Sequence, residues 1–225
     1  MACCQVRTYG GEPTGRRQPF SIDTIRLLGY RDVRLGRMNL NYGVNEMNCN
    51  QTKPSIVLVG ARAVGKTTIG RKLAESLGFA FCDTDELIRE RAGCAIADLV
   101  AEQGWPAFRA LEREVLVGCV ERESTVVATG GGAVLHLDVW PQIKRRMLVF
   151  WLTAPLAVVR ARLEADPHSA SLRPSLTGED VVQEYERVLR QREPLYRDVA
   201  DRIIDCDALD SDRIVSDIMK ILVFS

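Results

Sequence analysis

Downstream of Ser55, short apolar and β-branched runs alternate with longer amphipathic stretches of helical period. The short runs predict five strands, at Ile56–Val59, Phe79–Cys82, Thr125–Thr129, Met147–Leu152 and Arg202–Asp205. The amphipathic stretches predict helices at Lys66–Leu77, Asp85–Ala92, Ala95–Gln103, Phe108–Arg122, Pro155–Glu164, Glu179–Arg192 and Asp212–Leu222. Strands joined by helical crossovers form a parallel sheet that is covered on both faces. The pattern therefore predicts an α/β fold whose ligands bind at the carboxyl ends of the strands.

The first 52 residues lack this periodicity. They carry seven arginines, four acidic residues and several turn-prone groups, so we expect them to lie outside the folded core. An organelle transit peptide, a start codon placed too far upstream, and an extension that packs on the domain or on a partner are the open interpretations. The acidic residues and the scarcity of serine count against a transit peptide. The predicted organisation is an N-terminal extension over residues 1–52 and one domain over residues 53–225.

The first predicted strand leads into a segment with the full Walker A spacing G-x-x-x-x-G-K-T: Gly60, Ala61, Arg62, Ala63, Val64, Gly65, Lys66, Thr67 and Thr68. The two glycines allow the backbone to curl so that its N–H groups point inward, where the following helix also directs its positive dipole end. The segment predicts a nucleoside triphosphate site. Lys66 would reach the β- and γ-phosphates, Thr67 would bind Mg²⁺, and Thr68 would contact the α-phosphate side. A plain glycine-rich turn would explain neither Lys66 nor Thr67.

Two carboxylates follow the second predicted strand, in Cys82-Asp83-Thr84-Asp85. At this position the chain leaves the sheet toward the predicted phosphate site. We predict that Asp83 holds Mg²⁺ through water and that Asp85 faces the acceptor hydroxyl and takes its proton. Helix capping by Asp83 or Thr84 is the alternative role, but capping requires one such residue and three are present.

A triglycine follows the third predicted strand, and three arginines lie in contexts that suggest binding. Gly130-Gly131-Gly132 indicates a close approach of backbone to a ligand, with a plain loop as the alternative. Arg109 is near the start of one predicted helix and Arg192 at the end of another. Arg173 lies in a Pro-, Ser- and Gly-containing loop of about residues 166–178, which predicts a lid that closes over the triphosphate. A solvated face is the alternative for any single arginine.

Composition narrows the class of protein. The formal net charge is zero, so no overall field favours nucleic acid or an anionic membrane as partner. Seven cysteines occur without C-x-x-C or zinc-like spacing, which argues against a disulfide framework and indicates a reducing cytoplasm. No apolar run approaches the roughly 18 residues of a spanning helix. We therefore expect a soluble cytoplasmic protein that binds neither nucleic acid nor membrane.

Taken together, these motifs resemble those of the shikimate kinase family over about Ser55 to Val223. The matching features, in chain order, are Gly60–Thr68, Asp83-Thr84-Asp85, Phe108-Arg109 with Glu112, Gly130-Gly131-Gly132, Leu172-Arg173-Pro174 and Arg192-Glu193-Pro194-Leu195-Tyr196-Arg197. The resemblance implies a P-loop kinase of the nucleoside-monophosphate-kinase type, a three-layer α/β/α sandwich with a five-stranded parallel sheet and a lid. It implies transfer of the ATP γ-phosphate to the 3-hydroxyl of shikimate, with Mg²⁺, on the route to chorismate and the aromatic amino acids. A monomer is expected.

The resemblance also assigns roles to individual residues. The expected shikimate-binding residues are Asp85, Arg109, Gly131, Gly132 and Arg192. Residues Gly60–Thr68 are expected to bind ATP and Mg²⁺, Arg173 to close from the lid, and Glu112 to support Arg109. Lys66, Asp85 and Arg173 are the expected catalytic residues.

The chain departs from the family pattern before Phe108-Arg109, where it reads Gly104-Trp105-Pro106-Ala107 instead of the Gly-Glu pair of many members. With this tryptophan and the segment Leu172-Arg173-Pro174-Ser175-Leu176-Thr177-Gly178, the chain is more similar to the second isoenzyme type of enteric bacteria. The two histidines, His136 and His168, match no family site, and we predict that they lie on the surface or in loops.

Two alternatives to a shikimate kinase stay open at this point. A gluconate-kinase-like enzyme would share the phosphate loop and the lid but not a paired arginine clamp for a ring carboxylate. A catalytically inactive nucleotide-binding regulatory module is the second, although the presence of Lys66, Asp83, Asp85 and Arg173 argues against it. An assay of ATP consumption with and without shikimate would separate these possibilities.

Overall fold

The structure is a computed structural model that describes residues 54–165, 181–206 and 210–223. The strands in these ranges are β1 (Ser55–Val59), β2 (Ala80–Asp83), β3 (Thr125–Ala128), β4 (Met147–Thr153) and β5 (Arg202–Asp205). The α-helices are α1 (Lys66–Leu77), α2 (Thr84–Ala92), α3 (Ile96–Val120), α4 (Trp140–Arg146), α5 (Leu156–Ala165), α6 (Val181–Val199) and α7 (Ser211–Val223). A short 3₁₀ turn covers Ala133–Leu135.

The five strands form one sheet in the order β2-β3-β1-β4-β5, and every neighbouring pair is parallel. In the register of the central strand, Leu58 lies between Ala128 of β3 and Phe150 of β4. Because all five carboxyl ends lie at the same edge, the segments that follow β1, β2 and β3 come together there. The predicted α/β class and five-stranded parallel sheet are confirmed.

Alternating residues of β1 point into two separate cores, one on each face of the sheet. Ile56 and Leu58 pack with residues of α1 and α7, including Leu73 and Ile218. Val57 and Val59 pack with α3, α4 and α6 through Leu116, Ile143 and Tyr196. All five residues of β1 are buried, as expected for a central parallel strand that is covered on both faces. The layers are therefore helix, sheet and helix.

Most element boundaries agree with the prediction to within a residue or two, but α4 and α6 differ. The two helices predicted at Ala95–Gln103 and Phe108–Arg122 correspond to the two parts of α3, which are separated by a kink at Gly104, whose φ of 80° and ψ of 170° are not helical. The chain turns helical again before Pro106, which sits in the first turn after the kink, where a missing N–H costs little. Helix α4 was not predicted.

The prediction that a helix ends at Arg192 is wrong, because α6 continues through Pro194 to Val199. Proline removes one helical hydrogen bond. The additional turns bury Tyr196, which is 1% exposed and stacks on Trp151 with ring centroids 5.8 Å apart. Burial of this large side chain against the sheet outweighs the local cost of the proline.

The predicted lid at about residues 166–178, with Arg173 and His168, lies outside the described residues, as does the predicted extension over residues 1–52. Within the ranges that the structure describes, no helix has both the length and the apolar character needed to cross a membrane.

Candidate active site

The Walker A segment (residues 60–68), or P-loop, forms a tight loop between β1 and α1. Gly60 has a φ of +144°, and a Cβ added there would lie 2.3 Å from the backbone oxygen of Leu152 in β4. Gly65, which precedes α1, has a φ of +104°. As the N-cap residue, Gly65 has no side chain that could cap the first turn of α1, so the N–H groups of that turn face the loop. This arrangement is a site for an anion at a helix N-terminus.

Lys66 folds back over this loop. Its Nζ donates hydrogen bonds to the backbone oxygens of Gly60, at 2.9 Å, and Ala61, at 2.6 Å. The ammonium group therefore lies at the mouth of the predicted phosphate site, within reach of a ligand that replaces these carbonyl contacts.

Asp83 uses its two carboxylate oxygens for two different contacts. Its Oδ1 accepts hydrogen bonds from the backbone N–H groups of Asp85, at 2.9 Å, and Glu86, at 3.4 Å, which caps α2. Its Oδ2 accepts a hydrogen bond from Thr67 Oγ1 at 2.7 Å. Asp83 therefore caps α2, the role weighed against metal binding in the sequence, and also contacts the P-loop threonine.

The Thr67–Asp83 pair has the donor atoms of a Mg²⁺ site. It offers a hydroxyl and a carboxylate oxygen beside the anion site, and Mg²⁺ prefers oxygen donors, with one or two carboxylates completed by water and phosphate. The donor chemistry of these two residues fits the ion.

Asp85 lies in the first turn of α2, next to the triglycine. The start of α2 is bound to that segment, because Thr84 Oγ1 accepts a hydrogen bond from the Gly130 N–H at 2.8 Å. Asp85 and Gly131 line the same cleft as the P-loop. The cleft has a volume of about 700 Å³ and is lined by Arg62, Ala63, Val64, Gly65, Lys66, Thr67, Thr68, Ile69, Asp83, Asp85, Glu86, Arg89, Ile96, Thr129, Gly131, Arg162, Ala165, Ser211 and Ile214.

Arg109 and Arg192 meet at the triglycine, although neither lines the cleft itself. Arg192 Nη1 donates to the Gly131 oxygen at 3.1 Å, and the Tyr196 hydroxyl donates to the same oxygen at 2.6 Å. Arg109 packs against Gly132, where an added Cβ would lie 2.0 Å from Arg109 Nη1. Side chains from α3 and α6, far apart in sequence, are thus brought together by a backbone that has no side chains of its own.

The two guanidinium groups are close enough to affect one another. Burial lowers the pKa of Arg192, and the positive charge of Arg109 lowers it further. An arginine nevertheless stays charged in a protein. Two neighbouring cations of this kind favour an anion placed between them.

Glu112 is the carboxylate partner of Arg109. It is 1% exposed, and its Oε2 accepts a hydrogen bond from Arg109 Nη1, the contact that the family resemblance led us to expect. The rings of Trp105 and Phe108 lie 5.5 Å and 5.1 Å from the Arg109 guanidinium carbon. The aromatic residue that departs from the common family pattern therefore takes part in holding Arg109.

His136 lies in a loop, one of the two positions predicted for it, but it is buried. The residue follows the 3₁₀ turn and is 9% exposed. Its Nε2 lies 3.0 Å from Glu112 Oε2, and this hydrogen bond explains how a polar ring is accommodated in the interior. No local pattern around His136 indicates a partner 24 residues earlier in the chain.

Arg162 is a second residue that sequence reasoning missed. From α5, its Nη1 donates to the backbone oxygens of Ala63, at 3.3 Å, and Val64, at 3.1 Å. Its Nη2 donates to the Cys206 oxygen at 3.2 Å. The guanidinium thereby braces the P-loop against the end of β5. In the sequence it is one of many arginines on predicted helices.

Comparison with known proteins relates the chain to shikimate kinases. The family model described as shikimate kinase matches residues 62–223. A shikimate kinase of Oleidesulfovibrio alaskensis is 49% identical over 150 residues, which is 67% of this chain and 87% of the relative. A shikimate kinase 2 of Dickeya chrysanthemi is 46% identical over 154 residues, 68% of this chain and 87% of the relative.

The solved structures agree with this result. A shikimate kinase from Acinetobacter baumannii, solved in complex with shikimate, has a TM-score of 0.71 and 34% identity, and the match covers 76% of this chain and 94% of that chain. Residues 62–68 of the P-loop, the Asp83–Asp85 segment and the triglycine lie within the range that the family model matches. The chain therefore belongs to the shikimate kinase family.

Proposed function

We propose that this protein transfers the γ-phosphate of ATP to the 3-hydroxyl of shikimate, giving shikimate 3-phosphate and ADP on the route to chorismate and the aromatic amino acids. The observation that carries the proposal is the meeting of Arg109 and Arg192 at the triglycine, beside the cleft that holds Lys66 and Asp85. Membership of the family supports it, as does the relative whose structure contains shikimate.

The net charge of the arginine cluster, which consists of Arg109, Arg192 and Glu112, fits an acceptor with one carboxylate. Arg109 and Arg192 supply two positive charges, and the buried Glu112 supplies one negative charge. The remaining single positive charge matches the single ring carboxylate of shikimate. A guanidinium binds a carboxylate through paired charge-assisted hydrogen bonds, which also fix its orientation. Gly131 and Gly132 let the substrate approach these two side chains.

Asp85 is the proposed proton acceptor. With the ring carboxylate held at the arginines, the far side of the ring extends into the cleft, where Asp85 and Lys66 both lie. A carboxylate at that position accepts the proton of the attacking hydroxyl. Phosphoryl transfer requires little else of the protein than positioning and charge stabilisation.

The phosphate end is assigned to the P-loop. Backbone N–H groups of residues 60–68 hold the phosphates, Lys66 moves from the loop carbonyls to the β- and γ-phosphate oxygens, and Arg173 closes from the lid. Thr67 and Asp83 would hold Mg²⁺, Asp83 through water. When bound, the ion neutralises charge that develops on the phosphate oxygens. Arg162 keeps the loop in its binding conformation through Ala63 and Val64.

We assign this activity to residues 53–225 acting as a cytoplasmic monomer that binds neither nucleic acid nor membrane. The four cysteines of the described ranges, Cys82, Cys94, Cys119 and Cys206, carry free thiols, in keeping with a reducing compartment. Gel filtration at working concentration tests the monomer.

The direct test is ADP formation by the purified protein with Mg²⁺ and ATP, in the presence of shikimate, of gluconate, or of neither. The proposal expects ADP to form with shikimate and phosphate to appear on its 3-hydroxyl. Faster turnover of gluconate would favour the gluconate-kinase-like alternative. ATP binding without turnover of either compound would favour an inactive regulatory module.

A further inference from the structure

One oxygen of a buried carboxylate is shared by two donors from different parts of the chain. Glu112 Oε2 accepts from Arg109 Nη1, one turn away on α3, and lies 3.0 Å from Nε2 of His136, which follows the 3₁₀ turn. Both His136 and Glu112 are buried. The imidazole is thus built into the arginine cluster without itself facing the cleft.

The shared oxygen links the position of His136 to that of Arg109. A glutamate held by a single arginine one turn away on the same helix can move together with it. A second donor on a different segment fixes the carboxylate relative to the triglycine, because the 3₁₀ turn follows Gly132 directly. The Arg109 guanidinium, already placed between Gly132 and two aromatic rings, then has one preferred direction.

We propose that His136 is a positioning residue for the substrate carboxylate. It donates its Nε2–H to Glu112 Oε2 and so sets the orientation in which Arg109 meets shikimate. The inference rests on the proposed function.

Three single substitutions test the role in the full-length protein. His136→Phe keeps a ring but removes the donor, whereas His136→Gln keeps an N–H that can reach the same oxygen. Leu137→Ala, at the neighbouring exposed position, is the matched control. We expect His136→Phe to raise the KM for shikimate about tenfold, equivalent to about 1.4 kcal/mol, and to leave the KM for ATP within about twofold. His136→Gln and Leu137→Ala should stay close to the wild type.

If His136 had a purely structural role, His136→Phe would change the KM for shikimate and the KM for ATP together, or would change neither. His136→Gln would then not restore the wild-type values. An unchanged shikimate KM in a folded His136→Phe protein would overturn the inference. If the wild-type protein does not phosphorylate shikimate at all, the proposed function itself is overturned.

The pathway through Arg109 is tested by combining substitutions. In an Arg109→Lys background the side chain keeps its charge but has no planar guanidinium to orient. We expect His136→Phe to add less than about twofold to the shikimate KM in that background, since the two changes act on the same contact. A full tenfold additional effect would show that His136 acts by another route.

A measurement on the unmutated ring holds even if His136→Phe does not fold. The chain has only two histidines, so nitrogen-15 correlation spectra of the wild type and of His168→Gln assign the His136 ring. The inference expects a proton on Nε2 and ring signals that shift when shikimate is added. A ring with its only proton on Nδ1 would place a lone pair against the carboxylate and would contradict the proposed hydrogen bond.

Discussion

Gly132→Ala is the substitution whose effect the geometry fixes most closely. The φ of Gly132 is −92°, so alanine meets no backbone strain there. Its Cβ would lie 2.0 Å from Arg109 Nη1, 2.7 Å from the guanidinium carbon and 2.9 Å from Nη2. The atoms in the way belong to the end of a flexible side chain, and Arg109 must therefore move while the backbone stays in place.

The expected loss of activity follows from the distance that the Arg109 guanidinium must move. To reach an ordinary contact of 3.4 Å, Nη1 must withdraw by about 1.4 Å. That movement carries the guanidinium away from its place beside Glu112 and from the predicted substrate carboxylate. Misplacement of a binding group by about 1 Å costs on the order of 100-fold in rate. We expect kcat/KM for shikimate to fall about 100-fold, equivalent to about 2.7 kcal/mol of transition-state stabilisation.

The assay is steady-state ADP formation at varied shikimate and varied ATP, with thermal unfolding of the same samples. Gly118→Ala, on the exposed side of α3, is the control, since among the described residues its Cβ would meet only Arg91 Nη2, at an ordinary contact distance of 3.5 Å. We expect that control to keep activity and to gain about 0.5–1 kcal/mol in stability. If Gly132→Ala phosphorylates shikimate like the wild type, Arg109 is not positioned by Gly132 in the way described.

Other consequences concern the cleft and the domain boundary. Lys66→Ala should abolish ADP formation, because the β–γ bridge loses its nearest cation, and near-normal turnover would refute the ATP site. Asp85→Asn should lower kcat by more than it weakens ATP binding, and a change in ATP affinity alone would place Asp85 on the metal side. A protein beginning at Thr52 should fold and stay active, because β1 starts at Ser55, whose Oγ donates to the Arg122 oxygen at 2.8 Å. An insoluble truncated protein would show that residues 1–51 belong to the fold.

The strands and the P-loop could be predicted because each is encoded in adjacent residues. The run Ile56–Val59 followed by the glycine, lysine and threonine spacing specifies strand, loop and helix locally. The capping role of Asp83 was likewise readable from its place before a helix. These features need no information about the rest of the chain.

The contacts that complete the site are long-range, and the local pattern does not contain them. His136 finds Glu112 and Arg162 finds Val64 only after the chain has folded. The predicted end of α6, at Arg192, was too early for the same reason. Proline is a local signal to stop, whereas the burial of Tyr196 against Trp151 is a tertiary effect that overrides it.

The central claim is that two arginines recognise the carboxylate of shikimate while the P-loop delivers phosphate. Comparing shikimate with its methyl ester, on the wild type and on Arg109→Ala and Arg192→Ala, tests it most directly. The ester offers no anion to either guanidinium. For the wild type the account predicts that kcat/KM falls with the ester by an amount equivalent to about 2–5 kcal/mol.

The same loss is expected with shikimate on either arginine variant, where the ester should add little further cost because the paired contact is already broken. The KM for ATP should stay close to that of the wild type throughout. An ester phosphorylated as efficiently as shikimate by the wild type would contradict the account, even if the protein proved to be a kinase.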